Sequence, residues 1–230
     1  MVHQRSRYAF LNKCLVKFNK TARFWAFGVV QCLYRFSGKG RIIMTPALEQ
    51  ERFYTEEDYY SLPEDVRSEL ISGQFYNMPA TSRIHQEILM FLSIKIANYI
   101  DSNNGSCEVY PAPFAVKLFQ DNKTIVEPDI SVICDQNKLT EKGCSGAPDW
   151  IIEIISPGNP SHDYVRKLNL YADAGVDEYW IVDPLIKDVY VYSLREQNFR
   201  AVAYTFQDSV PSGIFDGFSI NFTELELERV

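Results

Sequence analysis

Apolar residues recur with a helical period in two stretches of the acidic part of this chain, and each stretch predicts a helix. The pattern is clearest over residues 81–100, TSRIHQEILMFLSIKIANYI. Six residues mark the apolar face of that helix: Ile84, Ile88, Phe91, Leu92, Ile96 and Tyr99. A second helix is predicted over about residues 162–174, ending at Gly175. A short helix is predicted after Thr55, a good N-cap that acidic residues follow.

Short apolar or alternating stretches predict strands between and after these helices. ELISGQFYNMP (69–79) contains a Ser-Gly turn and predicts a β-hairpin, and further strands are predicted within 106–119, 124–134 and 178–182. The tail, with DVYVYS, FRAVAYTF and FSINFTEL, predicts a β meander. The order of elements predicts an α/β (α+β) fold, a mixed sheet flanked by helices with extra C-terminal strands.

Glu153 interrupts a run of large apolar residues, WIIEII, that extends from Trp150 to Ile155. In a strand the even-numbered residues of this run take one face and the odd-numbered ones, Glu153 among them, take the other. Both faces are apolar, which predicts a central strand covered on both sides. A charge is costly there unless it is paired. Glu153 is therefore neutral through a raised pKa, paired with a buried cation for structure alone, or functional.

A second acidic residue, Asp129, precedes Glu153 by 24 residues and lies in the stretch TIVEPDISVIC. Residues 125, 127, 129, 131 and 133 are predicted to share a face of one strand. Pro128 makes that strand irregular or places it at an edge. Two carboxylates in an apolar site repel each other unless a metal or another cation lies between them. The alternative for Asp129 is a turn or cap residue, and Glu127 is expected to be exposed to solvent.

The predicted helix after Glu153 carries a lysine that is expected to point inward. At about 100° per residue, four residues form one polar side: His162, Arg166, Asn169 and Asp173. Lys167 lies instead beside Tyr171 and Leu170, at the border of the apolar side. The alternative is an Asp163–Lys167 pair on a solvated face.

The charges divide the chain near Met44. Residues 1–43 contain nine Lys or Arg and no acidic residue, whereas the remainder carries 14 basic and 30 acidic residues, a balance of −16. We therefore predict a basic N-terminal extension, residues 1–43, and a single domain, residues 44–230. The extension is a mistranslated or dispensable segment upstream of Met44, or it contains a basic surface helix. Its apolar stretch, residues 24–34, is too short for a membrane span and makes a poor signal peptide.

The cysteines and histidines predict neither a zinc site nor a disulfide framework. Five cysteines form no C-x-x-C pair, the three histidines are scattered, and an odd cysteine count argues against a full set of disulfides. Reduced thiols in a cytoplasm are the interpretation that follows.

The order of Asp129, a buried Glu153 and a lysine on the next helix resembles the PD-(D/E)XK nuclease superfamily and, within it, the Uma-type (Uma two) restriction endonuclease family. The resemblance covers about residues 52–225. The stretches that carry it are YTEEDYYSLPED, ELISGQFYNMP with His85 in the helix that follows, VEPDISVI, PDWIIEIISPGN, DYVRKLNLYADAGVDEYWIVDP and IFDGFSINFTEL. One departure is that Ile155 stands where the E-x-K motif has its lysine, and Lys167 on the following helix takes that role.

The resemblance implies a restriction-endonuclease-like core of four mixed strands, Mg²⁺ (or Mn²⁺) held by Asp129 and Glu153, and hydrolysis of DNA phosphodiesters by an activated water. Lys167 would orient that water or stabilise negative charge on the phosphate. Glu69 is a weaker candidate for another metal ligand. His85 could touch a phosphate, although a satisfied helix histidine is favoured, and Tyr171 is expected to pack and position Lys167. A homodimer is expected by analogy.

The acidic balance of residues 44–230 opposes a nucleic-acid substrate, because such proteins usually present a basic face. Six cations are candidates for a local basic patch, and a dimer could assemble one: Arg83, Lys95, Lys117, Lys123, Arg166 and Lys167. The alternatives are a catalytically inactive scaffold of the same fold, a hydrolase of another phosphodiester, and a two-carboxylate glycosidase. The inward lysine disfavours the glycosidase.

Overall fold

A computed structural model of the chain describes residues 33–36, 42–45, 52–156, 161–195 and 199–225, with the backbone alone over 33–36, 42–45 and 161–165. The chain divides into two compact units, Met1–Glu51 and Arg52–Val230. In the first unit, β1 (Leu33–Phe36) pairs antiparallel with β2 (Ile42–Thr45). The surface helix predicted for the extension lies outside the described residues. None of the helices in the described part of the chain has the length and apolar character that a membrane crossing needs.

The second unit contains three α-helices, two short 3₁₀ helices and fourteen strands among its described residues. The helices are α1 (Glu56–Tyr60), α2 (Arg83–Ser102) and α3 (Ser161–Ala174), and the 3₁₀ helices are Gln136–Lys138 and Phe222–Glu224. The strands are β3 (Ser68–Ile71), β4 (Gln74–Asn77), β5 (Glu108–Pro111), β6 (Val116–Lys117), β7 (Ile125–Val126), β8 (Ile130–Ile133), β9 (Leu139–Thr140), β10 (Gly143–Ser145), β11 (Trp150–Ile154), β12 (Glu178–Asp183), β13 (Asp188–Ser193), β14 (Arg200–Thr205), β15 (Ser209–Pro211) and β16 (Ser219–Asn221). All three predicted helices are confirmed.

One six-stranded sheet has the order β4-β3-β7-β6-β10-β9. The predicted hairpin is confirmed in β3 and β4, which pair antiparallel around the turn of Ser72 and Gly73. Both turn residues have positive φ, 51° and 81°. That is the conformation of the two-residue turns whose twist matches the flanking strands.

The other six-stranded sheet has the order β14-β13-β12-β11-β8-β5 and contains two stretches of the predicted C-terminal meander, DVYVYS as β13 and FRAVAYTF as β14. The third stretch, FSINFTEL, is not part of it, because β16 pairs with β15 in a separate two-stranded sheet. The strand β11 lies parallel to β12 and antiparallel to β8, and all five of its residues are buried. The sheet is therefore mixed, and the prediction of a central strand over Trp150–Ile154 is confirmed, as is the predicted fold class.

The two faces of this second sheet support two separate cores. Trp150, Ile152 and Ile154 pack with α2 and with the segment around β15 and β16. On the other face, Ile151 packs with Tyr171 of α3 and with residues of the first sheet. The parity assigned to β11 from the sequence is thus correct, and Glu153 lies on the face that carries α3.

The buried stripe of α2 differs from the predicted one at its start. The buried residues are His85, Ile88, Leu89, Leu92, Ile96 and Ile100. Ile84, which was predicted to belong to the stripe, is 38% exposed. The apolar pattern misplaced the first turn because a polar residue, His85, occupies the buried position there.

The prediction of reduced thiols is wrong for two cysteines, because Cys107 and Cys134 form a disulfide. They flank the antiparallel pair Glu108 and Ile133 of β5 and β8, so the sheet register brings them together across 27 residues of sequence. Cys144 is free and buried. A cytoplasmic location, which rested on reduced thiols, loses that support.

Candidate active site

Glu153 lies near the carboxyl end of β11 and is 7% exposed. Its Oε1 atom accepts hydrogen bonds from Lys167 Nζ at 2.9 Å and from the Tyr171 hydroxyl at 2.7 Å. Both donors come from α3, one helical turn apart, and both face the sheet. The carboxylate on the buried strand therefore has two dedicated partners from the next helix in the chain.

Lys167 points inward, as the helical phase predicts, and is 5% exposed. Its ammonium donates to Glu153 Oε1 and also to Glu69 Oε1, at 2.9 Å in each case. The alternative of a solvated face for Lys167 is wrong, and the side chain of Asp163 lies outside the described residues. One buried cation thus joins two carboxylates from different sheets.

Glu69 reaches this cation from β3 of the first sheet. Its Oε1 atom also accepts a hydrogen bond from the backbone N–H of Glu127 at 3.1 Å. The Glu69 side chain is buried and its position beside Glu153 agrees with its selection as a site residue. Its role as a further metal ligand stays a prediction.

Asp129 lies where the chain passes from β7 in the first sheet to β8 in the second. Its Oδ2 atom accepts from the backbone N–H of Ile154 at 2.8 Å and faces His85 Nε2 at 3.1 Å. The predicted single strand with one face over residues 125–133 is wrong, because the break at Pro128 divides it between two sheets. That break directs Asp129 toward the end of β11.

A small cavity brings the predicted site residues together. Asp129, Glu153, Lys167 and Glu69 all line it. Its volume is about 80 Å³, which is room for an ion with a few waters.

The ionisation of the cavity follows from burial and from the excess of carboxylates. Burial is the main cause that raises the pKa of Glu153 to about 7; Lys167 opposes it, and the nearby Asp129 and Glu69 add to it. Burial lowers the pKa of Lys167, but Glu153 and Glu69 more than offset this, so its pKa lies above the ordinary value. Burial and Glu153 raise the pKa of Tyr171, which keeps its proton and donates it in a hydrogen bond.

This pKa shift predicts that the metal-free protein loses stability as the pH rises toward 8. The folded-state pKa of Glu153 is raised from 4.5 to about 7. The contribution of Glu153 to the free energy of unfolding is therefore complete below pH 4.5 and is lost as the pH rises through about 7. The loss is on the order of 3 kcal/mol at 1.36 kcal/mol per pKa unit. Urea unfolding in EDTA at several pH values measures this loss. The contribution of Glu153 is the difference between the wild type and Glu153→Gln. The control is Glu87→Gln, which changes a partly exposed glutamate that pairs with Arg83 outside the cavity. The prediction is contradicted if the difference in the free energy of unfolding between the wild type and Glu153→Gln stays constant with pH or grows as the pH rises.

Arg67 forms part of the rim of the cavity, and Glu127 holds it there. The Arg67 guanidinium lies 2.7 Å from Glu127 Oε2, while Tyr59 donates to Oε1 at 2.8 Å. The expectation that Glu127 is exposed to solvent is wrong: it is buried, because Arg67 and Tyr59 supply partners from elements that the local sequence does not reveal. The Arg67 side chain is 41% exposed and lines the cavity.

The predicted basic patch is largely neutralised by neighbouring carboxylates. Arg83 pairs with Glu87, Lys95 with Glu224 and Lys117 with Glu56. Lys123 and Arg166 lie over the rings of Phe53 and Tyr76. Of these six candidates, Lys167 is the one that lines the cavity.

Three further residues lie at the site in ways that the sequence did not predict. The Tyr171 hydroxyl binds Glu153 rather than only packing. His85 contacts Asp129, and its Nδ1 atom is buried without a hydrogen-bond partner among the described residues. Ser156 Oγ is likewise buried without such a partner, and Ser156 lines the cavity. The sequence signal for two of them was a four-residue spacing, of Lys167 and Tyr171 and of His85 and Leu89. Residues at that spacing lie on the same face of a helix.

The chemistry of these donors fits a divalent cation. Three buried carboxylates line the cavity and two of them share the Lys167 ammonium. Oxygen ligands are those that Mg²⁺ prefers. Among the described residues, no three His, Cys, Asp or Glu side chains are grouped so as to hold a metal by themselves. The protein therefore offers the pair Asp129 and Glu153, and the unpartnered His85 Nδ1 and Ser156 Oγ atoms leave polar groups in the lining for water. Mg²⁺ usually retains several waters, so such a pair suffices.

A mixed sheet with two buried carboxylates near the end of its central strand, and a lysine from the following helix beside them, is the arrangement that the resemblance to nucleases implies. Residues 56–223 match the family described as "Uma2: Putative restriction endonuclease". The chain belongs to this family, and membership implies a nucleic-acid substrate.

Two other proteins are similar to this chain. A "putative nuclease belonging to DUF820" from Anabaena variabilis superposes with a TM-score of 0.62 at 23% identity, covering 74% of this chain and 96% of its own. That likeness concerns the fold. An "Uncharacterized protein slr1290" of Synechocystis sp. is 27% identical over 139 residues, 59% of this chain and 72% of its own.

Proposed function

We propose that this protein is a divalent-metal-dependent endonuclease that hydrolyses phosphodiester bonds in DNA. The observation that carries the proposal is the charge of one cavity, which three carboxylates, Asp129, Glu153 and Glu69, line together with the ammonium of Lys167. That ammonium bonds to Glu69 and Glu153 and leaves Asp129 without it. With all of these groups ionised, the buried excess of negative charge is unfavourable without a further cation. The same excess would repel a phosphate unless that cation were present.

Asp129 and Glu153 are the residues proposed to hold Mg²⁺ or Mn²⁺. When bound, such an ion neutralises charge on the phosphate and lowers the pKa of a water. Asp129 uses Oδ2 for Ile154 N–H and His85. Glu153 uses Oε1 for Lys167 and Tyr171. In both residues the second carboxylate oxygen lies outside these contacts, and these oxygens are the proposed ligands.

Lys167 is the proposed catalytic cation. Its bonds to Glu69 and Glu153 use two of the three N–H donors of an ammonium. The third is proposed to orient the attacking water or to stabilise the charge that develops on the phosphate oxygens, the interaction that contributes most to such reactions. Glu69 and Tyr171 are proposed to fix the position of Lys167 and Glu153, so that little reorganisation is needed during the reaction.

The full-length protein, incubated with supercoiled plasmid and either Mg²⁺ or Mn²⁺, tests this function. We expect nicking that requires the cation, stops in EDTA and is lost in Glu153→Gln. An RNA of matching sequence, run in parallel, distinguishes DNA from RNA as substrate. If the wild type neither cleaves nucleic acid nor binds either cation in calorimetry, the proposal fails, and a nuclease-fold binding or scaffold protein would be favoured.

Arg67 is proposed to contact a phosphate of the bound DNA at the mouth of the cavity, because it is partly exposed and lines the cavity. Arg67→Ala is expected to raise KM and to reduce the slope of log affinity against log salt by about 1, as for the loss of one phosphate contact. Filter binding at several salt concentrations measures the slope. Arg83→Ala, which removes an exposed cation outside the cavity lining, should leave both quantities unchanged, and an equal effect of both variants would contradict the assignment.

The homodimer and the cytoplasmic location stay predictions. Binding of DNA needs little other basic surface if Arg67, Lys167 and a bound cation contact the phosphate. The neutralised candidates Arg83, Lys95 and Lys117 are then not required for binding DNA.

A further inference from the structure

His85 is the buried polar residue of the cavity that the proposed reaction leaves without a role. It lies in the first turn of α2, is 2% exposed, and its backbone N–H donates to the N-cap residue Ser82 at 3.2 Å. One ring nitrogen, Nε2, lies 3.1 Å from Asp129 Oδ2. The other, Nδ1, is buried and has no hydrogen-bond partner among the described residues. Buried polar atoms nearly always have partners, so Nδ1 needs an explanation.

The contact with Asp129 fixes where the ring carries its proton. An ionised carboxylate only accepts hydrogen bonds, so Nε2 must carry the hydrogen. In the neutral ring Nδ1 is then an acceptor, and its partner must be a donor. Ser156 Oγ, a second unsatisfied atom, belongs to the lining of the same cavity. A cavity of about 80 Å³ can hold water near both atoms.

The contact also limits the orientations of Asp129. Ile154 N–H donates to Oδ2 from the central strand, and His85 Nε2 lies 3.1 Å from the same oxygen from a helix. Two donors from separate elements hold a carboxylate in one rotamer, as the outer partners of metal-binding side chains commonly do. His85 is itself fixed, because it is packed in the buried stripe of α2 and bonded to the N-cap.

We propose that His85 is a positioning residue that holds Asp129 for the divalent cation through Nε2–H and accepts a hydrogen bond from a cavity water at Nδ1. This inference rests on the proposed function, since it assumes that Asp129 is a metal ligand. It departs from the expectation of a satisfied helix histidine, because only one of the two ring nitrogens has a partner in the protein.

Three substitutions separate the two nitrogens. Gln places an N–H donor close to the position of Nε2 and therefore keeps the bond to Asp129. Asn places its polar atoms near the position of Nδ1 and loses the bond to Asp129. Leu has no polar atom at either position. We expect His85→Leu and His85→Asn to bind Mn²⁺ about 10–100-fold more weakly in calorimetry, the usual effect of losing such a partner. His85→Gln should recover most of the affinity.

Kinetics and folding measurements complete the test on the full-length protein. In the Leu and Asn variants the cation concentration for half-maximal cleavage should rise, while KM for DNA at saturating cation stays the same. A folded His85→Leu that binds Mn²⁺ as tightly as the wild type overturns the inference, as does rescue by Asn in place of Gln. Unfolding of all three variants in EDTA would assign His85 a purely structural role and also overturn it. A wild type that binds no cation would instead reject the proposed function itself.

Discussion

Lys167→Met is expected to reduce cleavage of DNA by about a hundredfold to a thousandfold, the typical effect of removing one group that stabilises the transition state. The same change should lower the free energy of unfolding by about 3–5 kcal/mol, because Glu69 and Glu153 lose the buried cation to which both are bonded. Methionine has a similar length and no charge, so the packing of the side-chain stem is retained. Plasmid nicking and urea unfolding measure the two effects separately.

The matched control for this change is Lys117→Met. Lys117 also forms a close pair with a glutamate, Glu56, at 2.6 Å, but it does not line the cavity. Its replacement should leave the cleavage rate unchanged. Both variants are assayed at a temperature at which unfolding curves show them to be folded. A folded Lys167→Met that cleaves at the wild-type rate would remove Lys167 from the reaction.

Asp129→Asn is expected to abolish cation binding while preserving the fold. The amide oxygen of asparagine can still accept from Ile154 N–H and from His85 Nε2–H, the two donors that hold Asp129 Oδ2. The negative charge offered to the cation is lost. The affinity for Mn²⁺ should fall by more than the roughly 10–100-fold that follows the loss of an outer partner, and cleavage should fall with it. Calorimetry and thermal melts in EDTA distinguish lost binding from lost folding.

Asp149→Asn is the control for that substitution. Asp149 also accepts a backbone hydrogen bond, from Cys134 N–H at 2.8 Å, beside the same sheet but outside the cavity lining. It should retain both cation binding and cleavage. If Asp129→Asn binds Mn²⁺ as the wild type does, the acidic pair is not the metal site and the proposed role of Asp129 is wrong.

Local pattern was sufficient for those parts of the site that lie on one regular element. The period of two along β11 placed Glu153 on the face opposite Trp150 and Ile152, and the structure agrees. The helical period placed Lys167 beside Tyr171 on the inward side of α3, which is also where it lies. These residues were identified because periodicity states which face of an element a side chain takes.

Local pattern failed where an element ends or a residue's partner is distant. The single strand predicted over residues 125–133 is broken at Pro128, and its halves join different sheets. Glu127 looked exposed by its local pattern, yet Arg67, 60 residues earlier, pairs with it. Cys107 and Cys134 looked like free thiols until the pairing of β5 with β8 brought them together.

The sequence by itself determined the fold class, the burial of Glu153 in a central strand, the inward direction of Lys167 and, through its motifs, the nuclease family. Only the tertiary structure decided that Glu69 bonds to Lys167 across 98 residues and that His85 faces Asp129. The reason is physical: the backbone geometry of a helix or strand fixes the faces of that element, whereas contacts between elements depend on how two sheets and two helices pack. A buried polar group finds its partner through that packing.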